Sequence, residues 1–378
     1  MNMIKKVSAL FIVCGIFLTS AFAVDGGALV KNNTVFKTDK NQNFYLDQND
    51  IVTAWLKIPF AGSSENYFIC EGIYKFEYDQ NLNKSFNYVD LNLVKFAFTV
   101  NFENSRLQID AGRFYHSLFA PVIYSQCADG AKISFSNRVL TASIYGAYTG
   151  LLNGNIFKMI NSSDFKSVKE DETFSFADKY IISAETVKFD NLFCNQTLGV
   201  QFASAVRLNE IEDTRIYASL LLNGPIVNNL IYNLDATASF TNYGNSGFET
   251  SALVRFMLGY YFSKASVSAN VVYASDKFKA VTKYAALNNF SESPYNSLFK
   301  PGISVTCKPF DNLLFTADFN AAFDTAKSFE LKGVEYDFSA NYQIFSDLFA
   351  GVKWNQYFDV NKSDVNYNSI SVQIKMAF

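Results

Sequence analysis

The segment 334–344, VEYDFSANYQI, decides the fold. Val334, Tyr336, Phe338, Ala340, Tyr342 and Ile344 take every second position, and Glu335, Asp337, Ser339, Asn341 and Gln343 fill the places between. Side chains alternate across a strand, so this is a strand with one apolar and one wholly polar face. The pattern returns at 230–240, where Leu230, Tyr232, Leu234, Ala236, Ala238 and Phe240 oppose Asn233, Asp235, Thr237 and Ser239, and again at 265–273 and 313–320. Clusters of Asn, Asp, Ser, Gly and Lys punctuate such segments as turns. Roughly 17 candidate strands result, from 51–60 to 367–378.

Alternation fits any half-buried antiparallel sheet. The strand number, the aromatic residues near strand ends (Tyr148, Phe189, Phe240, Tyr261, Phe262, Tyr273, Phe310, Tyr357) and the connections together select a membrane barrel. Tight turns fall at 103–105, 137–138, 190–191, 263–264, 311–312 and 346–347, and 223–229 counts with them. Longer connections at 114–130, 150–179, 207–214, 241–249, 275–301, 323–332 and 358–366 lie between them. The expected fold is an all-β, transmembrane, antiparallel up-and-down β-barrel of 16 to 18 strands. Single-chain bacterial barrels are even-numbered. Either a strand within 34–46 precedes 51–60, giving 18, or 51–60 does not span, giving 16.

Composition agrees. Charged residues are 18% against the usual quarter, and aromatics reach 17%, with 39 Phe and 22 Tyr. A net charge of −3 argues against a nucleic-acid partner. One histidine, His116, removes histidine-based metal sites and triads; it sits beside Ser117 in an expected external loop with no orienting partner. No cofactor, metal site or enzymatic activity is expected.

Residues 1–23, MNMIKKVSALFIVCGIFLTSAFA, carry Lys5 and Lys6, an apolar run from Val7 to Leu18 and the small-residue site Ala21-Phe22-Ala23, the pattern of a cleaved signal peptide. Residues 24–50 are expected to form an N-terminal periplasmic segment or a first strand, and 51–378 the barrel. Cys70, Cys127, Cys194 and Cys307 are scattered without C-x-x-C spacing and are expected to be free thiols.

The chain ends SISVQIKMAF, with Ile370, Val372, Ile374, Met376 and terminal Phe378 on one face. This resembles the last-strand signal of bacterial outer-membrane barrels. The stretch LQIDAGRFYHSLFAPVIYSQCADGAKISF resembles the strand–loop–strand of porin-type barrels, where Gly112-Arg113 ends a strand and Asp129-Gly130 begins the next. The resemblance is to the porin group of outer-membrane proteins. It implies residence in the outer membrane among its lipids, and recognition of the Phe378 strand by the barrel-assembly machinery. It leaves self-association into a homo-oligomer open.

A barrel of 16 or 18 strands holds an aqueous lumen. Arg or Lys facing lipid at mid-depth costs about 2–4 kcal/mol, so the charged strand residues are expected to line that lumen. The candidates are Arg106, Asp110, Lys132, Glu185, Arg215, Asp235, Arg255, Asp318, Glu335, Asp337, Lys353 and Lys375. Loops 150–179 and 275–301 are the candidates for a constriction. The expected function is passive diffusion of small hydrophilic solutes. The alternative is a structural or adhesin barrel acting through its external loops. A transporter with an N-terminal plug is disfavoured, because 24–50 is short and polar. Epitope tags within 150–179 should be accessible on intact cells, and a tag at Ser346 should not. An accessible Ser346 tag would reverse the orientation.

Overall fold

The computed structural model describes residues 24–38, 44–61, 63–157, 159, 172–208, 213–244, 247–282, 297–360 and 367–378. The expected signal peptide, 1–23, lies outside the described residues. Eighteen strands form one sheet: β1 (Asp25–Thr38), β2 (Phe44–Phe60), β3 (Ser63–Asp79), β4 (Lys84–Asn101), β5 (Ser105–Ser117), β6 (Ser125–Asn137), β7 (Leu140–Tyr148), β8 (Tyr180–Phe189), β9 (Thr197–Arg207), β10 (Asp213–Val227), β11 (Leu230–Tyr243), β12 (Phe248–Tyr261), β13 (Ala265–Ala274), β14 (Leu298–Phe310), β15 (Leu313–Asp324), β16 (Glu330–Gln343), β17 (Leu348–Asp359) and β18 (Tyr367–Ala377). Each pairs antiparallel with its chain neighbours, and β1 pairs with β18 from Leu29↔Ala377 to Thr38↔Asn368, which closes the barrel.

The eighteen-strand alternative therefore holds, but with the extra strand at 25–38 in place of 34–46. β1 escapes a search for alternation because its outward positions include Asn32 and Thr34, beside Val30 and Phe36. Those polar groups are satisfied locally. Asn32 Nδ2 donates to Asp50 Oδ1 at 2.5 Å, and Gln48 Nε2 to Asp50 Oδ2 at 2.7 Å.

Elsewhere the outward face is apolar and uncovered: Phe338 and Tyr342 on β16, Val352 and Trp354 on β17, and Ile370, Val372 and Ile374 on β18. Connections at one end are short: 102–104, 138–139, 228–229, 262–264 and 311–312 among them. Phe102, Phe193, Phe262, Phe310 and Phe345 stand exposed at this short-turn end, a rim of the kind that meets a membrane interface. Tyr357, expected in such a girdle, instead faces inward opposite Glu335 and is buried. The four cysteines after residue 23 are free.

In hydrocarbon an unpaired backbone group costs several kcal/mol, so the seam between first and last strands must be complete. Its last link is reciprocal. Phe378 N donates to Ala28 O at 2.8 Å, and Ala28 N donates to Phe378 O at 3.2 Å. Deleting Phe378 removes both bonds, about 1 kcal/mol each before any lipid effect. The deletion should lower the folded fraction in heat-modifiable gel migration, whereas Phe378→Tyr should not.

Candidate functional site

The β5–β6 hairpin is bound to the wall only in its lower part. The final wall pairs are Val94↔Arg113 on one side and Asp129↔Tyr148 on the other. At that level Gly112 faces Gly130 across the hairpin. A Cβ on Gly112, whose φ is +110°, would lie 2.1 Å from Val94 O, and one on Gly130 would lie 2.1 Å from Gly146 O. Two glycines in register thus permit the strands to leave the wall together. Arg113 fixes the departure. It bonds Asp129 through Nε (2.9 Å) and Nη2 (2.8 Å), Asp90 through Nη1 (2.7 Å), and the carbonyls of Leu91 (2.9 Å) and Leu151 (3.0 Å).

Beyond this hinge the hairpin crosses the lumen. Phe119 N donates to Gln201 Oε1 on the inner face of β9 at 2.9 Å, and the Phe119 ring occupies the space over Gly199, where a Cβ would be 2.7 Å away. Val200 and Phe202, on either side of Gln201, are exposed on the outer face, which fixes the direction. A second segment, 276–282 from the β13–β14 connection, meets the hairpin tip. Val281 N and Thr282 N donate to Ile123 O at 2.7 and 3.1 Å. The wall holds this segment through Tyr217 OH, which donates to Lys279 O at 2.6 Å, and Arg215, which donates to Ala280 O.

The insert and the wall behind it share one apolar core. Phe114, Ile123, Tyr124, Phe278 and Val281 pack against inward side chains of β7 to β15, such as Tyr145, Ile182, Ala205, Tyr217 and Leu253. About half of the inner wall is therefore covered. The other half, β16 to β18 with β1 to β5 and the parts of β14 and β15 on the short-turn side of Leu298 and Ala322, keeps its charges on the lumen side.

Most of the sequence-derived candidates lie on that half. Asp110 pairs with Lys95 at 3.3 Å and faces Lys132 in register. Glu335 pairs with Lys300 at 3.0 Å, and Asp337 with Lys353 at 3.0 Å and with the Asn355 amide. Asp318 faces Asp337 directly. Lys375 faces Lys31 across the seam. Arg106 lies near the short-turn end, 3.8 Å from Glu65. Asp235 and Arg255 lie 3.8 Å apart on the inner face of β11 and β12. Arg215 also points inward, but its side chain is fully buried beneath the insert with Asp213 at 2.6 Å, so it holds the insert and touches no solvent.

Glu185 requires correction. It falls on the outer face between Ile144 and Phe202, which are 64% and 54% exposed. Parity decides this: Ile181, Val187 and Glu185 share a face, and the expectation that every charge turns inward overrode it.

Of the two loops expected to form a constriction, 275–301 contributes 276–282 to the insert, while 158, 160–171 and 283–296 lie outside the described residues. The described ends of 150–179 brace β4, with Asn153 N donating to Asp90 Oδ2 at 2.8 Å, and Met159 touches Gln126 and Thr282. Among the described residues the insert is formed chiefly by 114–130, expected to be external. His116, expected to be an exposed loop residue, is buried against Tyr145 with ring centroids 3.9 Å apart, while Ser117 donates to its neighbour's carbonyl, Leu118 O, and not to the imidazole. Among the described residues no group of His, Cys, Asp and Glu could hold a metal ion.

No family model matches the chain, and no curated protein matches it in sequence. Solved structures match it in shape over nearly its whole length. The outer membrane protein OpdK of Pseudomonas aeruginosa superposes with a TM-score of 0.59 at 11% identity, covering 94% of this chain and 99% of that one. The chain shares the fold of these outer-membrane β-barrel proteins. OpdQ of the same organism gives 0.64 at 10% identity over 94% and 97% of the two chains, and OccAB4 of Acinetobacter baumannii gives 0.63 at 7% over 94% and 98%. A closed barrel with a lumenal insert makes a direct prediction. Phe119→Ala combined with Tyr217→Phe removes the wedge and one tether while leaving the wall intact. In planar bilayers the variant should show higher single-channel conductance and noisier open levels than the parent. Unchanged traces would mean that the insert does not narrow the pore.

Proposed function

We propose that the chain is exported, loses residues 1–23, and works in the outer membrane as a channel for passive diffusion of small hydrophilic solutes. The observation that carries this reading is the unequal lumen. One half is filled by an apolar insert, and the other is lined by ionised and amide side chains that only water or a polar solute can cover. Paired lysines and carboxylates keep that half polar with little net charge, and such a wall admits small polar molecules. OpdK, similar in fold, has been solved with vanillate, a property of that protein that agrees with a pore of small-molecule size. On this reading the short-turn end faces the periplasm, and the strand ending at Phe378 is what the assembly machinery recognises. No catalytic step is part of the proposal.

The charged half gives the test. Glu335 and Asp337 are two residues apart on one face, about 6–7 Å along the wall. Replacing them by Glu335→Gln and Asp337→Asn leaves Lys300 and Lys353 without their carboxylates. The reversal potential in a salt gradient should move toward anion preference. Both carboxylates are buried in their ion pairs, so the replacements also cost stability. Each replacement should cost about 1.5–3 kcal/mol of charged hydrogen bonding, visible as a lower melting temperature. A folded protein that passes no current would favour the structural or adhesin barrel.

A further inference from the structure

The seam brings two lysines face to face. Lys31 of β1 and Lys375 of β18 are directly paired in register. Their chain neighbours Val30 and Ile374 are exposed on the outer face, so both ammonium groups belong to the lumen side. Directly opposed like charges destabilise a sheet, because their Cβ atoms lie only about 4.5–5.5 Å apart. The usual remedy is a carboxylate on the same strand or on one nearby, and the wall supplies one elsewhere. Lys37 meets Asp47 and Lys75 meets Glu77, each at 2.5 Å, while Lys95, Lys300 and Lys353 have Asp110, Glu335 and Asp337. At the seam the flanking positions hold no acid. Ile51 lies opposite Lys31 on β2, and Phe349 lies opposite Lys375 on β17. Among the described residues neither lysine makes an ion pair.

The next inward row adds donors of the same kind. Asn33 and Gln373 are paired in register one step further from the short-turn end, and Asn49 follows on β2. Two ammonium groups and two carboxamides thus form a four-cornered patch on the charged half of the lumen, clear of the insert. Lys375 is exposed and Lys31 half-buried, so a solute can reach them.

We propose that this patch is a binding station for a compact, doubly charged oxyanion of the phosphate type, met by a solute in the short-turn half of the pore. Two positive charges without protein counter-ions match two negative charges, and the amides supply donors for the remaining oxygens. The proposal deepens the channel reading and rests on it for the solute's route, but not for binding itself.

The test uses the full folded chain and inorganic phosphate at mildly alkaline pH, where the anion carries two charges. In detergent, phosphate should raise the melting temperature of the parent above that in sodium chloride of equal ionic strength. The pair Lys31→Gln and Lys375→Gln should abolish that rise and should melt no lower than the parent in chloride, since the repulsion is gone. In planar bilayers phosphate should reduce the chloride current of the parent at concentrations at least tenfold below those needed for the double variant. An equal phosphate effect on parent and variant, or none on the parent, overturns the site. Stabilisation without any current would leave the site standing and remove the channel. Current without phosphate stabilisation would do the reverse.

Discussion

Everything in this molecule depends on the requirement that a backbone in hydrocarbon satisfies its own hydrogen bonds. A sheet meets it only by closing, and closure joins residues at opposite ends of the chain, Ala28 with Phe378 and Lys31 with Lys375. Once the wall is closed, its outer face must be apolar and its inner face is free to vary. The carboxylate of Asp50 is tolerated on the outer face because two amides bind it. Glu185 has only Ile144 and Phe202 beside it in register.

The freedom of the inner face is used unequally. The Gly112–Gly130 hinge releases one hairpin inward, and the wall opposite it is built from small and aromatic side chains to receive it. Ala184, Ala203 and Ala205 leave room, while Tyr180 and Tyr217 fill it. The buried Arg215–Asp213 pair sits at this junction with every direction occupied: Asp213 beside it, Tyr180 OH near it and Ala280 O above it. A buried ion pair of this kind contributes little net stability, but it fixes where the inserted segment rests. The charged half is the part of the lumen that the insert leaves uncovered.

The wall was legible in the sequence because lipid enforces period two, as in 334–344 and at the Phe378 terminus. Legibility failed where another force set the pattern. β1 has Asn32 and Thr34 on its outward face, so its period is masked. In β9, TLGVQFASAVR, the inward positions Gly199, Ala203 and Ala205 are apolar as well. A strand whose inward face, Gln201 apart, is also small and apolar in an otherwise alternating barrel signals a covered lumen. The insert itself was not legible, because residues 114–130 look like any external loop until Gly112 and Gly130 are known to be in register. At Glu185 strand parity outweighs charge, and the carboxylate stays on the outer face.

The apolar insert has a thermodynamic consequence. A barrel wall is one cooperative unit, since opening any strand breaks ladders on both sides. The lumenal core is held instead by a few long-range contacts, Phe119 to Gln201, Ile123 to Val281 and Tyr217 to Lys279. Its detachment would break its bonds to Gln201, Tyr217 and Arg215 but none of the strand-to-strand ladder bonds. Stability in folded proteins is distributed over such units. The molecule is a small globular core lodged inside a membrane container, with two free energies of unfolding rather than one.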